Sequence, residues 1–184
     1  MDRRTFLASA AGAIGGLAVA PSFSAARPVK NDKMQADVEA SVERGLEYLK
    51  RTQGQDGHWD APGQMYPTSM TALAGMAFLM EGSTLREGKY SDQISKAMNW
   101  FLHPQRVRGN GLLGNVDSPT EQQRYMYGHG FGTMFLASVL GEEETNEDRQ
   151  KLEKVLKKAV EFIGKAQTSK KHRRADGKEL EIGG

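Results

Sequence analysis

The chain contains no cysteine, and that absence removes disulfides, thiolate zinc sites and cysteine nucleophiles together. An excess of one charge is missing too. With 25 basic and 23 acidic residues, composition gives no reason to expect nucleic acid or an acidic polymer as partner. Nor is there a long hydrophobic run: the longest apolar stretch, Phe6 to Ala20, has 15 residues, short of the roughly 20 that a spanning helix needs. What is present, 38% apolar and 26% charged residues in a length of 184, suits one globular unit.

The first 26 residues, MDRRTFLASAAGAIGGLAVAPSFSAA, combine a short basic start, a mild apolar stretch rich in Ala and Gly, and small residues before Arg27. That is the make-up of a cleavable signal with its cut after Ala26. Arg3–Arg4 followed by Thr5, Phe6 and Leu7 resembles the twin-arginine export signal, which is an address and not an anchor. The resemblance implies a bacterial-type protein exported already folded, to the periplasm or beyond, with no membrane anchor after signal removal. Taking Asp2, Arg3 and Arg4 from the totals leaves 23 basic and 22 acidic residues. The expected organisation is a signal at 1–26, a linker at 27–35 and a folded region at 36–184.

Three segments of that region carry apolar residues at helical spacing: Val38, Val42, Leu46 and Leu49; then Ile94, Ala97, Met98, Phe101 and Leu102; then Leu152, Val155, Leu156, Ala159 and Ile163. Between them lie TSMTALAGMAFLM from Thr68 and GFGTMFLASVL from Gly130. These are apolar nearly all round and are expected to be buried helices, with their methionines, Met70, Met76, Met80, Met126 and Met134, in the core alongside Met98. Superposing the three amphipathic segments exposes one pattern: a basic and a small residue, an apolar residue four on, and a glutamine four further. It reads Arg44-Gly45, Leu49, Gln53; Lys96-Ala97, Phe101, Gln105; Lys158-Ala159, Ile163, Gln167. Offsets of 52 and 62 residues place the insertions in loops, as repeat architectures allow.

The first unit continues from Gln53 to Gly57, His58 and Trp59. It resembles the glutamine–tryptophan repeat of squalene cyclases and the related protein prenyltransferase β-subunits. The second unit departs from it, with Gly109, Asn110 and Gly111 in place of the tryptophan. The resemblance implies an all-α fold, an α/α toroid in which an inner ring of apolar helices is wrapped by an outer ring. It makes Gln53, Gly57, Trp59, Gln105 and Gln167 structural residues that tie the outer helices together. Such a ring takes five to seven hairpins, and this chain supplies two and an outer helix. It is expected to be the N-terminal part of a longer ring, the alternative being a short homologue whose open ends need a protein partner.

Two stretches carry candidate chemistry. In TQGQDGHWDAPG (52–63), Asp56, His58 and Asp60 form a DxHxD cluster that would suit a cation. The surrounding glycines equally suit a plain turn, and the turn is the favoured reading. In RYMYGHGFGTMF (124–135), Tyr127 and His129 sit among Gly128, Gly130 and Gly132. In toroids of the resembled family the inner-helix N-termini border the central cavity, which would place Tyr66, Thr68, Tyr127, His129 and Phe131 beside it. The favoured reading of His129 is that it caps the helix while the glycines allow close packing; the alternative is that it binds an anionic group or moves a proton there. The acid of a DxDD motif, by which squalene cyclases protonate their substrate, does not occur in these residues, and the prenyltransferase zinc set needs a cysteine. No cofactor is evident. Arg106, Arg108 and Arg124 remain as polar candidates that spacing does not rank.

Elsewhere the reading is structural. Thr145 or Asn146 caps the last helix, with acids in its first turn and lysines after it. The basic run Lys170 to Arg174 is expected in an exposed loop. Two functions stay open: an exported enzyme acting on an apolar, terpenoid or saccharide ligand in the ring's cavity, or a non-catalytic helical scaffold that binds a ligand or protein.

Overall fold

The computed structural model describes residues 32–114, 118–143, 145–167, 169–173 and 179–183. Asp37–Gly184 forms one compact unit. Its helices are α1 (Asp32–Thr52, whose first residues precede the unit), α2 (Pro67–Glu81), α3 (Ser91–Leu102), α4 (Pro119–Gln122), α5 (Tyr125–Val139) and α6 (Asn146–Ala166). Apart from one two-stranded hairpin the architecture is all-α and of the α/α-toroid kind. The apolar helices α2 and α5 pack most extensively on each other, and the amphipathic α3 and α6 lie against them and touch each other.

The core follows from the stripes. Ile94, Ala97, Met98 and Phe101 of α3, and Leu152, Leu156 and Ala159 of α6, are buried against Ala72, Ala74 and Phe78 of α2 and Phe135, Leu136 and Val139 of α5. Aromatic rings link the layers: Phe78 stacks on Tyr90 at 4.6 Å between centroids, and Phe101 meets Phe135 at 5.8 Å. Each such ring, fully buried, contributes about 1.5–3 kcal/mol of apolar transfer.

The inner helices are not covered all round, contrary to the expectation from their composition. Met80 is 83% exposed, and Leu73 and Met134 are exposed as well. Of the methionines assigned to the core, Met98 is buried and Met70 and Met76 pack partly against it, while Met80, Met126 and Met134 face solvent. A uniformly apolar helix does not say which side its neighbours occupy. The stripe of α1 divides similarly: Leu46 is buried and Leu49 packs on the core, but Val38 and Val42 are more than half exposed.

Two boundaries differ from the sequence reading. Helix α5 begins at Tyr125, so Gly128, Gly130 and Gly132 lie inside it. Two of them answer to close packing, since a Cβ on Gly128 would stand 3.0 Å from Thr68 Cβ and one on Gly132 2.8 Å from the Phe101 ring. The basic run also departs from the expected loop. Ser169–Arg173 (β1) pairs antiparallel with Glu179–Gly183 (β2), placing Lys171 opposite Glu181 and Arg173 opposite Glu179. At α6 the cap is Thr145, whose hydroxyl accepts the Asp148 N–H at 3.1 Å.

Candidate functional site

The repeat is a turn chemistry before it is anything else. After α1, Gly57 N–H donates to Gly54 O (2.9 Å) and Gly54 N–H to His58 O (2.8 Å). After α3 the same ring of bonds recurs, Gly111 N–H to Arg108 O (2.9 Å) and Arg108 N–H to Leu112 O (2.9 Å). Gly57 and Gly111 have φ of 97° and 95°, a conformation that side chains resist. Each lies on the backbone of the next outer helix. A Cβ on Gly57 would stand 2.4 Å from Lys96 O, and one on Gly111 2.2 Å from Lys158 O. Lys96 and Lys158 are the basic residues of the second and third repeat units, so both turns dock on the start of the following unit's motif.

Around the first turn, Gln53 Nε2 donates to Gly57 O (2.9 Å) and Gln93 O (3.0 Å), and the Trp59 indole N–H donates to Leu49 O (2.8 Å). Leu49 O is one of the carbonyls that the end of α1 leaves without a helical partner. The second turn matches by position but not by residue. Counting from its hydrogen bonds, Val107 stands where Gln53 does and the fully buried Leu113 where Trp59 does. Gln105 is exposed and its side chain bonds no described residue, so it does not repeat the tie made by Gln53. Gln167, also exposed, ends α6 through its backbone N–H to Ile163 O.

His129 belongs to this turn chemistry. In the first unit Trp59 N–H donates to Thr71 Oγ1 (3.1 Å); in the second, Leu113 N–H donates to His129 Nδ1 (3.0 Å). Thr71 and His129 are both the fifth residue of their helices, α2 and α5. The other ring nitrogen, Nε2, is 3.2 Å from Ala159 O of α6. The bonds require the neutral ring with its proton on Nε2. Burial pushes its pKa below the ordinary histidine value, with the Ala159 carbonyl opposing in part. With no exposed surface and both nitrogens engaged, His129 does not border a cavity. The structure favours the packing reading over proton transfer.

The DxHxD cluster closes on itself. His58 Nδ1 bonds Asp56 Oδ1, and Nε2 is 3.0 Å from Asp60 Oδ2, while the ring stacks on Trp100 at 5.6 Å. Burial alone would raise the Asp56 carboxyl, but the His58 bond and charge outweigh it and hold it below the usual range. A ligating histidine presents a nitrogen lone pair to the ion, whereas both nitrogens here face carboxylates. Among the described residues no group of three or more His, Asp or Glu is arranged to hold a metal ion.

The cleft lies elsewhere, at the N-terminal ends of α2 and α5. It encloses about 680 Å³ and is lined by Tyr66, Ser69, Glu121, Arg124, Tyr127 and Gly128, within the size range of small-molecule sites. One wall is built by a long-range cap. Thr68 N–H and O–H donate to the two oxygens of Glu121, each at 2.6 Å, and Tyr66 N–H donates to Thr120 Oγ1 at 3.3 Å. Pro67 between them has no N–H to satisfy, and a carboxylate suits the positive end of α2. This clamp holds Tyr66 at φ 54°, ψ 44°, a left-handed conformation that is unusual for an aromatic residue. Tyr66 and Tyr127 line this cleft, whereas Thr68, bonded to Glu121, and His129 are fully buried. Tyr127 is not the counterpart of Tyr66, being the third residue of its helix and not its cap. Glu121, Arg124 and Ser69 complete the lining, and of these only Arg124 was among the sequence candidates.

The chain is 29% identical to human lanosterol synthase over 91 residues, 50% of this chain and 12% of that protein. It is 28% identical to the mouse lanosterol synthase over 95 residues, 52% of this chain and 13% of that protein. The matches thus span about an eighth of those relatives. No family model matches the sequence, and no solved structure does. Together with the helical alternation, the partial similarity supports a terpenoid-cyclase-like repeat protein. Among the described residues no helix is long and apolar enough to cross a membrane.

Proposed function

We propose that this chain is exported by the twin-arginine route and acts outside the cytoplasm as a terpenoid-cyclase-like repeat protein. Its ligand cleft lies between the starts of α2 and α5, and the ligand is polar and saccharide-like. The observation that carries this reading is Tyr66, held in a left-handed conformation where it lines the cleft. Strain of about 1–3 kcal/mol at one residue persists where the surroundings impose it, and such residues cluster at ligand sites. The lining favours a polyhydroxylated ligand over a polyene, because two tyrosines offer faces for C–H contacts beside the polar groups of Ser69 and Arg124. A squalene-cyclase type of protonation is not assigned to these residues. The acid in the cleft, Glu121, directs both oxygens to Thr68.

Similarity to lanosterol synthase favours a second reading, a terpenoid-directed activity in the same cleft. One experiment separates the two. Titrating the full chain with neutral and acidic trisaccharides and with a squalene-type polyene, followed by thermal melting, should give a saccharide-dependent upward shift that Tyr127→Ala abolishes. A shift with the polyene alone would replace the first reading by the second, and saccharide shifts equal in both proteins would remove the cleft as the site. Tyr66→Asn should stabilise the unliganded protein by about 1 kcal/mol, since asparagine accepts the left-handed conformation, and should weaken saccharide binding. Export is tested by replacing Arg3 and Arg4 with lysine and locating the product; unchanged export would exclude the twin-arginine route.

A further inference from the structure

We infer that the ligand of this cleft carries an anionic group, which pairs with Arg124 while its ring lies against Tyr127; the inference rests on the cleft being a saccharide-type site. It comes from an inventory of which lining groups are already engaged. Glu121, buried, spends its two oxygens on the N–H and O–H of Thr68. The Arg124 guanidinium makes no hydrogen bond or ion pair with any described residue; its bonds are those of its backbone, N–H to Glu121 O (3.1 Å) and O to Tyr127 N–H (3.3 Å). The hydroxyls of Tyr66, Ser69 and Tyr127 likewise have no described partner, their bonds too being limited to the backbone. Tyr127 is 69% exposed at the rim, and Gly128 leaves the floor open, where a Cβ would approach Thr68 and the Ser69 hydroxyl at 3.5 Å.

The groups still available therefore favour donation. Guanidinium is donor-only and keeps its charge, and the three hydroxyls can each donate. The carboxylate that would have welcomed a cationic ligand is turned into the cap of α2. A ligand rich in acceptor oxygens fits this set best, and a carboxylate, sulfate or phosphate matches the planar fork of Arg124 in a way that a neutral hydroxyl does not. An amino sugar would meet Arg124 as a like charge. The whole chain is close to neutral, with a net charge of +2, so attraction to an anion has to be local to this residue.

The test is calorimetric titration of the full chain with a hexuronate trisaccharide, its methyl ester, a sulfated trisaccharide and a hexose phosphate. At least one anionic member should bind roughly tenfold or more tightly than the ester, as a charge-assisted pair implies. Which member does so identifies the anion. Arg124→Gln should abolish that preference without moving the melting temperature of the free protein, and Arg124→Lys should restore part of it. Equal affinity for acid and ester, with Tyr127→Ala still eliminating both, would overturn the anionic assignment and leave the saccharide site standing. Loss of preference in Arg124→Gln accompanied by an equal fall for the ester would also overturn it. Binding of no member would overturn the saccharide reading itself.

Discussion

Replacing Gly57 with alanine tests the turn chemistry at its tightest point. Two costs add. A φ of 97° imposes on alanine the penalty of a left-handed backbone, about 1–2 kcal/mol. The new Cβ would also stand 2.4 Å from the Lys96 carbonyl oxygen, and both atoms belong to backbone, so the turn must lift from α3. Lifting it breaks the bonds from Gln53 Nε2 to Gly57 O and Gln93 O, each worth about 1 kcal/mol. The expected loss is about 3–4 kcal/mol by urea unfolding, with a fall in Tm of roughly 6–16 °C for a domain of this size. Gly63→Ala is the control: φ is 79°, but the nearest atom to its Cβ is Met65 Cγ at 4.0 Å. It should pay the conformational cost alone, about 1–2 kcal/mol. Equal losses for the two variants would refute the argument, because they would show that the approach to Lys96 contributes nothing.

Two further outcomes follow from the same geometry. Trp59→Phe keeps an aromatic ring near Phe78 but deletes the shorter of two hydrogen bonds to Leu49 O, the other coming from the Thr52 hydroxyl at 3.3 Å, so it should cost about 1 kcal/mol, read by urea unfolding; a neutral result would mean that the Thr52 hydroxyl or water serves the end of α1 equally well. For His129 the sign is set by burial. Its folded pKa lies below the ordinary value, so the unfolded chain takes up the proton first. Stability is full above the unfolded value, near 6.5, and falls as pH drops from there toward the folded value, with a slope of at most about 1.4 kcal/mol per unit. In His129→Gln that slope should vanish from the urea-unfolding curve between pH 7 and 5, and an unchanged slope would mean that the ring is not buried neutral.

Much of the fold is legible because helical period and turn chemistry are local properties. The stripes of α3 and α6 mark the faces that the structure buries, except at Ile163 near the end of α6, which is exposed, and Gln53, Gly57 and Trp59 mark a turn. The second turn escapes the same count for a definite reason. From Leu49 to Gly57 there are eight positions and from Phe101 to Gly111 ten, so fixed spacing selects Gln105 when the turn itself holds Val107, Gly111 and Leu113. Loops absorb insertions that helices do not, and a glycine bound by its φ is a better marker of register than a glutamine bound by its side chain. The cleft is less legible still. Its wall depends on Glu121 reaching Thr68 across 53 residues of sequence, and nothing in the spacing of YPTSMT announces that a tyrosine will be held at positive φ.

His129 shows why residue type alone misleads about a site. A histidine flanked by glycines suggests an exposed group with freedom around it, yet it occupies the place that Thr71 holds in the preceding unit. The substitution has a physical use. A threonine hydroxyl serves Trp59 alone, with its N–H donating at 3.1 Å and its carbonyl 3.5 Å away. An imidazole has two separated nitrogens, and His129 uses one on Leu113 and the other on Ala159, binding the second turn to both α5 and α6. Where the first unit has Gln53 to join its turn to the next outer helix, the second has Val107, and His129 supplies the missing cross-link from the inner side. Under the proposed function, the cleft groups that the fold leaves unspent are the side chains of Tyr66, Ser69, Arg124 and Tyr127.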